Sequence, residues 1–163
     1  MRLFVAIQLS DDIKKKITGS LHELKKKGVR GNYVPVQNLH LTLAFIGETD
    51  HPGAVKDALK NVSVKPFKLS LDGMGMFGDL LWVGVKGNQG LSAAAKAVRD
   101  ALDDAGIAYD REKFVPHITL IRKVSGSWKQ VPAPKGEMKV TKLSLLKTTF
   151  RDGKPVYTEH MGI

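Results

Sequence analysis

The sequence predicts an α+β fold made by internal duplication, with two β/α halves related by a pseudo-two-fold axis and a groove between them. Two observations support this. His40-Leu41-Thr42-Leu43 returns as His117-Ile118-Thr119-Leu120. With five histidines in 163 residues, chance recurrence of that frame is on the order of a few in ten thousand. Hydrophobic periodicity also gives the element order β-α-β-α-β-β-α-β-β-β, in which a long helix followed by a His-apolar-Thr strand occurs twice. Side chains alternate along a strand, so in each copy His and Thr share one face and the two aliphatics the other. Each copy is therefore a strand with a dry side on a core and an imidazole–hydroxyl pair facing a cavity. We expect residues 1–163 to form a single domain of two such lobes.

Each element has a local reason. Arg2 to Leu9 is β-rich and stops at Ser10-Asp11-Asp12, a helix start with a serine cap and two acids in the first turn. Ile13, Ile17, Leu21 and Leu24 then recur at helical spacing, with lysines on the outer face and Gly28 at the left-handed stop. Tyr33-Val34-Pro35 is extended. Leu39 to Ile46 is the first motif strand, Gly47 to Asp50 a turn, and Pro52 to Asn61 a short helix with Val55, Ala58, Leu59 and Val62 inward. Phe67, Leu69 and Leu71 alternate with polar residues in a half-buried strand.

Gly73 to Asp79 is glycine-rich but lacks a Lys-Ser/Thr partner and leads into a strand, so it predicts a hairpin with bends rather than a nucleotide loop. Leu80 to Val85 is the returning strand. Gly90 to Asp104 is a second long helix with Leu91, Ala94, Ala95, Val98 and Leu102 inward. His117 to Arg122 is the second motif strand, Val124 to Pro134 an irregular connection, and Met138 to Lys147 a further strand. Asp152-Gly153 signals a hairpin into a last strand, Pro155 to His160.

Composition narrows the chemistry. Without cysteine there are no disulfides, thiolate nucleophiles or Cys-ligated zinc. No apolar run approaches a membrane span and no signal peptide opens the chain, so a cytoplasmic protein with no membrane partner is expected. No heptad or apolar strip stands out, which makes a monomer the expectation. The formal net charge of +10 attracts polyanions. Lys14 to Lys16 and Lys25 to Lys27 contribute to it, and such runs also form solvated helix faces.

Two histidines with near-neutral reference pKa values can share one proton cycle, one taking a proton from a nucleophile while the other gives one to a leaving group. Two threonine hydroxyls beside them can donate to the oxygens of a tetrahedral anion. A phosphodiester held between the imidazoles asks for both. One nitrogen per strand with no neighbouring acid is a poor metal set, so neither metal nor cofactor is expected. His22 and His51 read as a solvated helical residue and a surface or capping residue, and His160 is left unassigned.

The sequence resembles the two-histidine phosphoesterase superfamily, in particular its RNA 2′,3′-cyclic phosphodiesterase or 2′-5′ RNA ligase branch. The resemblance lies in Arg2-Leu3-Phe4-Val5-Ala6-Ile7, in Asn38 to Glu48 and in Phe114 to Arg122. It implies a bilobal α+β fold with two antiparallel sheets around a central cleft. It also implies metal-independent hydrolysis of a terminal RNA 2′,3′-cyclic phosphate to a 2′-phosphate, with tRNA fragments a candidate source. Run with a 5′-hydroxyl end in place of water, the same site joins RNA ends through a 2′-5′ bond without ATP.

By resemblance His40 and His117 are the acid–base pair, with His40 as acid and His117 as base, and Thr42 and Thr119 are phosphate ligands. The residues five past each histidine, Phe45 and Arg122, become a base-stacking ring and a phosphate-binding guanidinium. Tyr33 is a further base contact. In a regular strand Phe45 and Arg122 would face away from their histidines, so a twist, a bulge or the strand end must bring them round. Two alternatives remain, a phosphoesterase for small cyclic nucleotides or 2′-5′ oligonucleotides, and a non-catalytic RNA-end-binding module.

Overall fold

The computed structural model describes residues 1–163. Nine strands and three α-helices follow one another as β1 (Arg2–Gln8), α1 (Asp11–Lys26), β2 (Arg30–Tyr33), β3 (His40–Glu48), α2 (Pro52–Leu59), β4 (Phe67–Phe77), β5 (Leu80–Val85), α3 (Gln89–Asp104), β6 (His117–Ser125), β7 (Glu137–Val140), β8 (Ser144–Arg151) and β9 (Lys154–Gly162). The hydrogen-bonded path runs β7-β4-β5-β6-β3-β1-β8-β9, with β2 added to β6. Every pairing is antiparallel. The path divides into two antiparallel halves, each with one of the repeated strands at its inner edge. They meet at one bridged pair, Leu41 opposite Ile118. No helix is long and apolar enough to cross a membrane.

Local chemistry explains the helices. The Ile13 amide donates to the Ser10 hydroxyl, closing the start of α1. The helix ends where Gly28 takes φ +80°, a left-handed conformation that a Cβ would strain. Its buried residues are Ile13, Ile17, Leu21 and Leu24, as the spacing predicts. Ile13 and the Lys16 stem lie against Gly136, and the Ser10 amide points at the Met138 sulfur, so α1 is anchored beside β7 in the other half. α3 packs against α2, β3 and β4. The principal apolar core is thereby shared between both halves.

The C-terminal region differs from its expectation. Met138 to Lys147 reads as one strand, but β7 ends at Val140 and β8 begins at Ser144. β7 pairs with β4 in one half and β8 with β1 in the other. Alternation reports which face a residue presents and is silent about partners, and the one slip at the crossing, the exposed pair Thr141-Lys142, is too short to mark a change of partner. β2 is also a true strand on β6, where the sequence indicated only extended chain. Gly73 to Asp79 forms a bulged hairpin, turning at Gly78-Asp79, as predicted.

Candidate active site

β3 and β6 each contain the same irregularity. On β3 the register with β1 runs Thr42 to Ala6, Ala44 to Val5 and Phe45 to Phe4, so Leu43 is passed over. On β6 the register with β5 runs Thr119 to Trp82 and then Ile121 to Leu81, so Leu120 is passed over. Leu43 with Ala44, and Leu120 with Ile121, are consecutive buried residues. Each bulge resets the alternation by one residue, so Phe45 rejoins the face of His40 and Thr42 and Arg122 rejoins that of His117 and Thr119. Two bulges meet the condition that the +5 residues impose.

The Leu41–Ile118 pair fixes how the two motifs face each other. One step to either side in an antiparallel pair sets His40 across from Thr119 and Thr42 across from His117. The cavities follow that exchange. One, about 580 Å³, takes in His40, Thr119, Arg122, Tyr33 and Tyr157. The other, about 460 Å³, takes in His117, Thr42, Phe45, Phe77 and Arg99. The cleft is thus two half-pockets about the axis, each with a histidine from one strand and a threonine from the other.

Both imidazoles are oriented identically. His40 Nδ1–H donates to the Asn38 carbonyl at 2.7 Å, and His117 Nδ1–H donates to the Val115 carbonyl at 2.7 Å. A carbonyl only accepts, so Nδ1 holds the proton and Nε2 has the free lone pair when the ring is neutral. His40 Nε2 lies 3.0 Å from the Thr42 hydroxyl. Aromatic rings wall both imidazoles. Phe4 and Tyr157 stand 4.9 and 5.3 Å from His40, and Phe77 stands 5.1 Å from His117. Burial lowers the pKa of His40 below the usual imidazole value, which the Asn38 carbonyl opposes and the positive charge of Arg122 and His117 reinforces.

The remaining residues take distinct positions. Phe45 is 37% exposed, with the Arg2 guanidinium 5.3 Å from its ring centre, so one face is held and the other is open. Tyr33 presents its ring to the His40 half-pocket while its hydroxyl donates to the Val29 carbonyl at 2.6 Å. Lys25 Nζ lies 4.8 Å from that ring. Arg122 is exposed at the same half-pocket. His22 and His51 are surface residues away from both cavities, and His160 lies near Lys56 and Lys147.

Sequence reasoning missed the supports. Asn38 is 4% exposed and its amide donates to the Pro155 carbonyl at 3.0 Å, tying the approach to His40 to β9. Arg99 Nε donates to the carbonyl of Leu43, the residue passed over on β3, at 3.1 Å, and its Nη1 donates to the Glu112 carbonyl at 3.0 Å. The Asn38–Pro155 and Arg99–Leu43 contacts span long stretches of chain and have no local signature. The bulges did leave one, the paired apolar residues Leu43-Ala44 and Leu120-Ile121.

This geometry has relatives. The family model described as the 2′-5′ RNA ligase superfamily matches residues 6–151. The chain belongs to the 2′-5′ RNA ligase superfamily. Among curated proteins, the RNA 2′,3′-cyclic phosphodiesterase of Archaeoglobus fulgidus is 32% identical over 98% of this chain and 97% of its own. The fold is similar to that in the crystal structure of Escherichia coli LigT in its apo form, at a TM-score of 0.84 and 28% identity, covering 99% of this chain and 95% of LigT. LigT complexed with 3′-AMP matches at a TM-score of 0.81 and 29% identity over the same shares.

Proposed function

We propose that this superfamily member hydrolyses the terminal 2′,3′-cyclic phosphate of RNA to a 2′-phosphate by metal-independent His/His acid–base catalysis. The observation that supports it best is the matched pair of imidazoles. Each is locked at Nδ1 by the carbonyl two residues before it and stands across from a threonine of the other strand, and the Nε2 of His40 meets the hydroxyl of Thr42 on its own strand. His117 takes the proton of an in-line water as it attacks phosphorus, and His40 gives one to O3′ as the P–O3′ bond breaks. Thr42 and Thr119 donate to the non-bridging oxygens and Arg122 pairs with their charge. Phe45 stacks on the terminal base and Tyr33 supplies a second aromatic contact. With a 5′-hydroxyl in the place of water the same displacement forms a 2′-5′ diester and frees the 3′-hydroxyl. The cyclic ester supplies the energy, so ATP is not needed.

A short RNA ending in a 2′,3′-cyclic phosphate, incubated in EDTA, should yield the 2′-phosphate at the rate seen without chelator. A 3′-phosphate would reverse the leaving group, and loss of turnover in EDTA would overturn the metal-free scheme.

The pH profile follows from the burial of His40. Below the lower pKa of the pair both imidazoles are protonated and neither can act as base. Above the higher one neither can act as acid. The profile of kcat/KM is therefore bell-shaped, and burial displaces the limb that reports His40 toward acid. Replacing Tyr157 by Ser opens His40 to water and should move that limb upward. A limb that stays in place would detach it from His40.

A further inference from the structure

We propose that the tip of the β8–β9 hairpin is a subsite for a second ribonucleotide, next to the one whose cyclic phosphate reacts. This rests on the cleft reading above and extends it along the RNA chain. β8 pairs with β1 only as far as Thr148, opposite Arg2, so residues 149 to 151 and their β9 partners run on past the sheet as a two-stranded ribbon. Asp152 and Gly153, at φ 53° and 75°, make the two-residue turn at its end. The amide of Asn38 holds the ribbon over the cleft through the Pro155 carbonyl. Gly153, Lys154 and Pro155 border the half-pocket that contains His40.

Phe150 sits opposite Pro155, and Thr148 opposite Tyr157. Directly opposed residues of an antiparallel pair point to the same side. Phe150 therefore faces the side on which Tyr157 meets the His40 ring, two residues farther out, roughly 7 Å along the strand. That is about the advance of one nucleotide in an unstacked RNA strand. Phe150 is 61% exposed, more than any other large hydrophobic side chain. No packing role accounts for an aromatic ring on a ribbon tip beside a cleft. Arg151 and Lys154, the last pair before the turn, add two positive charges to the tip from the ribbon's other face. An open ring on a positively charged tip is a sequence-tolerant platform for a base and its phosphate. Asp152 is the only acid between Thr149 and Pro155.

Two nucleotides have that chemistry, the penultimate one of the same strand or the first one of a 5′-hydroxyl strand presented for joining. Phe150→Ala and Arg151→Ala, both at exposed tip positions, separate them. Rates are measured on a 2′,3′-cyclic mononucleotide, on a trinucleotide with the same end, and on that trinucleotide joined to a 5′-hydroxyl oligonucleotide. The mononucleotide rate should stay at the wild-type level, which also reports that the fold is intact. Phe150→Ala should lower kcat/KM for the trinucleotide by about 5- to 100-fold, with Phe150→Tyr restoring it. Arg151→Ala should reduce the log–log salt dependence for the trinucleotide by about 0.7.

A loss confined to joining would assign the subsite to the incoming strand. Unchanged rates on both longer substrates, or an equal loss on the mononucleotide, would overturn the proposal. If the wild-type protein turned over none of the three, the cleft reading would fail instead. Binding of a 3′-phosphate trinucleotide to the same variants would then decide the hairpin, and equal affinity of wild type and Phe150→Ala would overturn it.

Discussion

Replacing His40 or His117 by alanine is expected to lower kcat on an RNA 2′,3′-cyclic phosphate by about 10²- to 10⁴-fold, the range for loss of a positioned general acid or base. KM should change little, because the threonines, Arg122 and the aromatic rings still hold the substrate. The double variant should be scarcely slower than either single one, since groups that serve a single proton cycle are not additive. The two variants should differ in stability. His40 is packed between Phe4 and Tyr157, so His40→Ala leaves a gap there and deprives the Asn38 carbonyl of its donor. His117 is less enclosed and its loss should affect the melting temperature less. A single-turnover assay at a temperature where both variants are folded checks the claim. A variant within tenfold of wild type would remove that histidine from the reaction.

The two His-apolar-Thr strands were legible because both of their requirements, a face for the core and a face for the cleft, are written at a period of two. Phe45 and Arg122 were not legible in that way. The alternation puts them on the wrong side, and only the bulges at Leu43-Ala44 and Leu120-Ile121 bring them back. Paired aliphatics are present at both places in the sequence, but such pairs also occur where a strand is covered on both faces, so the signal becomes specific only with the register in hand. The helices were read nearly to their ends because caps and periodicity are local. The change of partner between Val140 and Ser144 was hidden for the opposite reason, as were the long-range supports. Asn38 to Pro155 spans 117 residues and Arg99 to Leu43 spans 56. Pairing and support are decided by tertiary structure, and a single sequence records them faintly.

The joint between the halves leads to the second large effect. Leu41 lies between His40 and Thr42, is fully buried, and forms the only bridged pair between β3 and β6, with Ile118. Leu41→Ala should cost about 2–5 kcal/mol from lost transfer energy and the residual cavity. At about 2–4 °C per kcal/mol for a chain of this size, the melting temperature should fall by roughly 4–20 °C. Leu69→Ala is the matched control, because Leu69 is equally buried but sits on β4, paired with Met138 away from the cleft. Its stability loss should fall in the same range. Only Leu41→Ala should also lower kcat below the melting transition, because a displacement on the order of 1 Å between the half-sites can cost about 10²-fold when two groups must address one phosphorus. If both variants kept the wild-type kcat while losing equal stability, the bridge would be a core contact alone, and the alignment of the two histidines would have to come from elsewhere in the sheet.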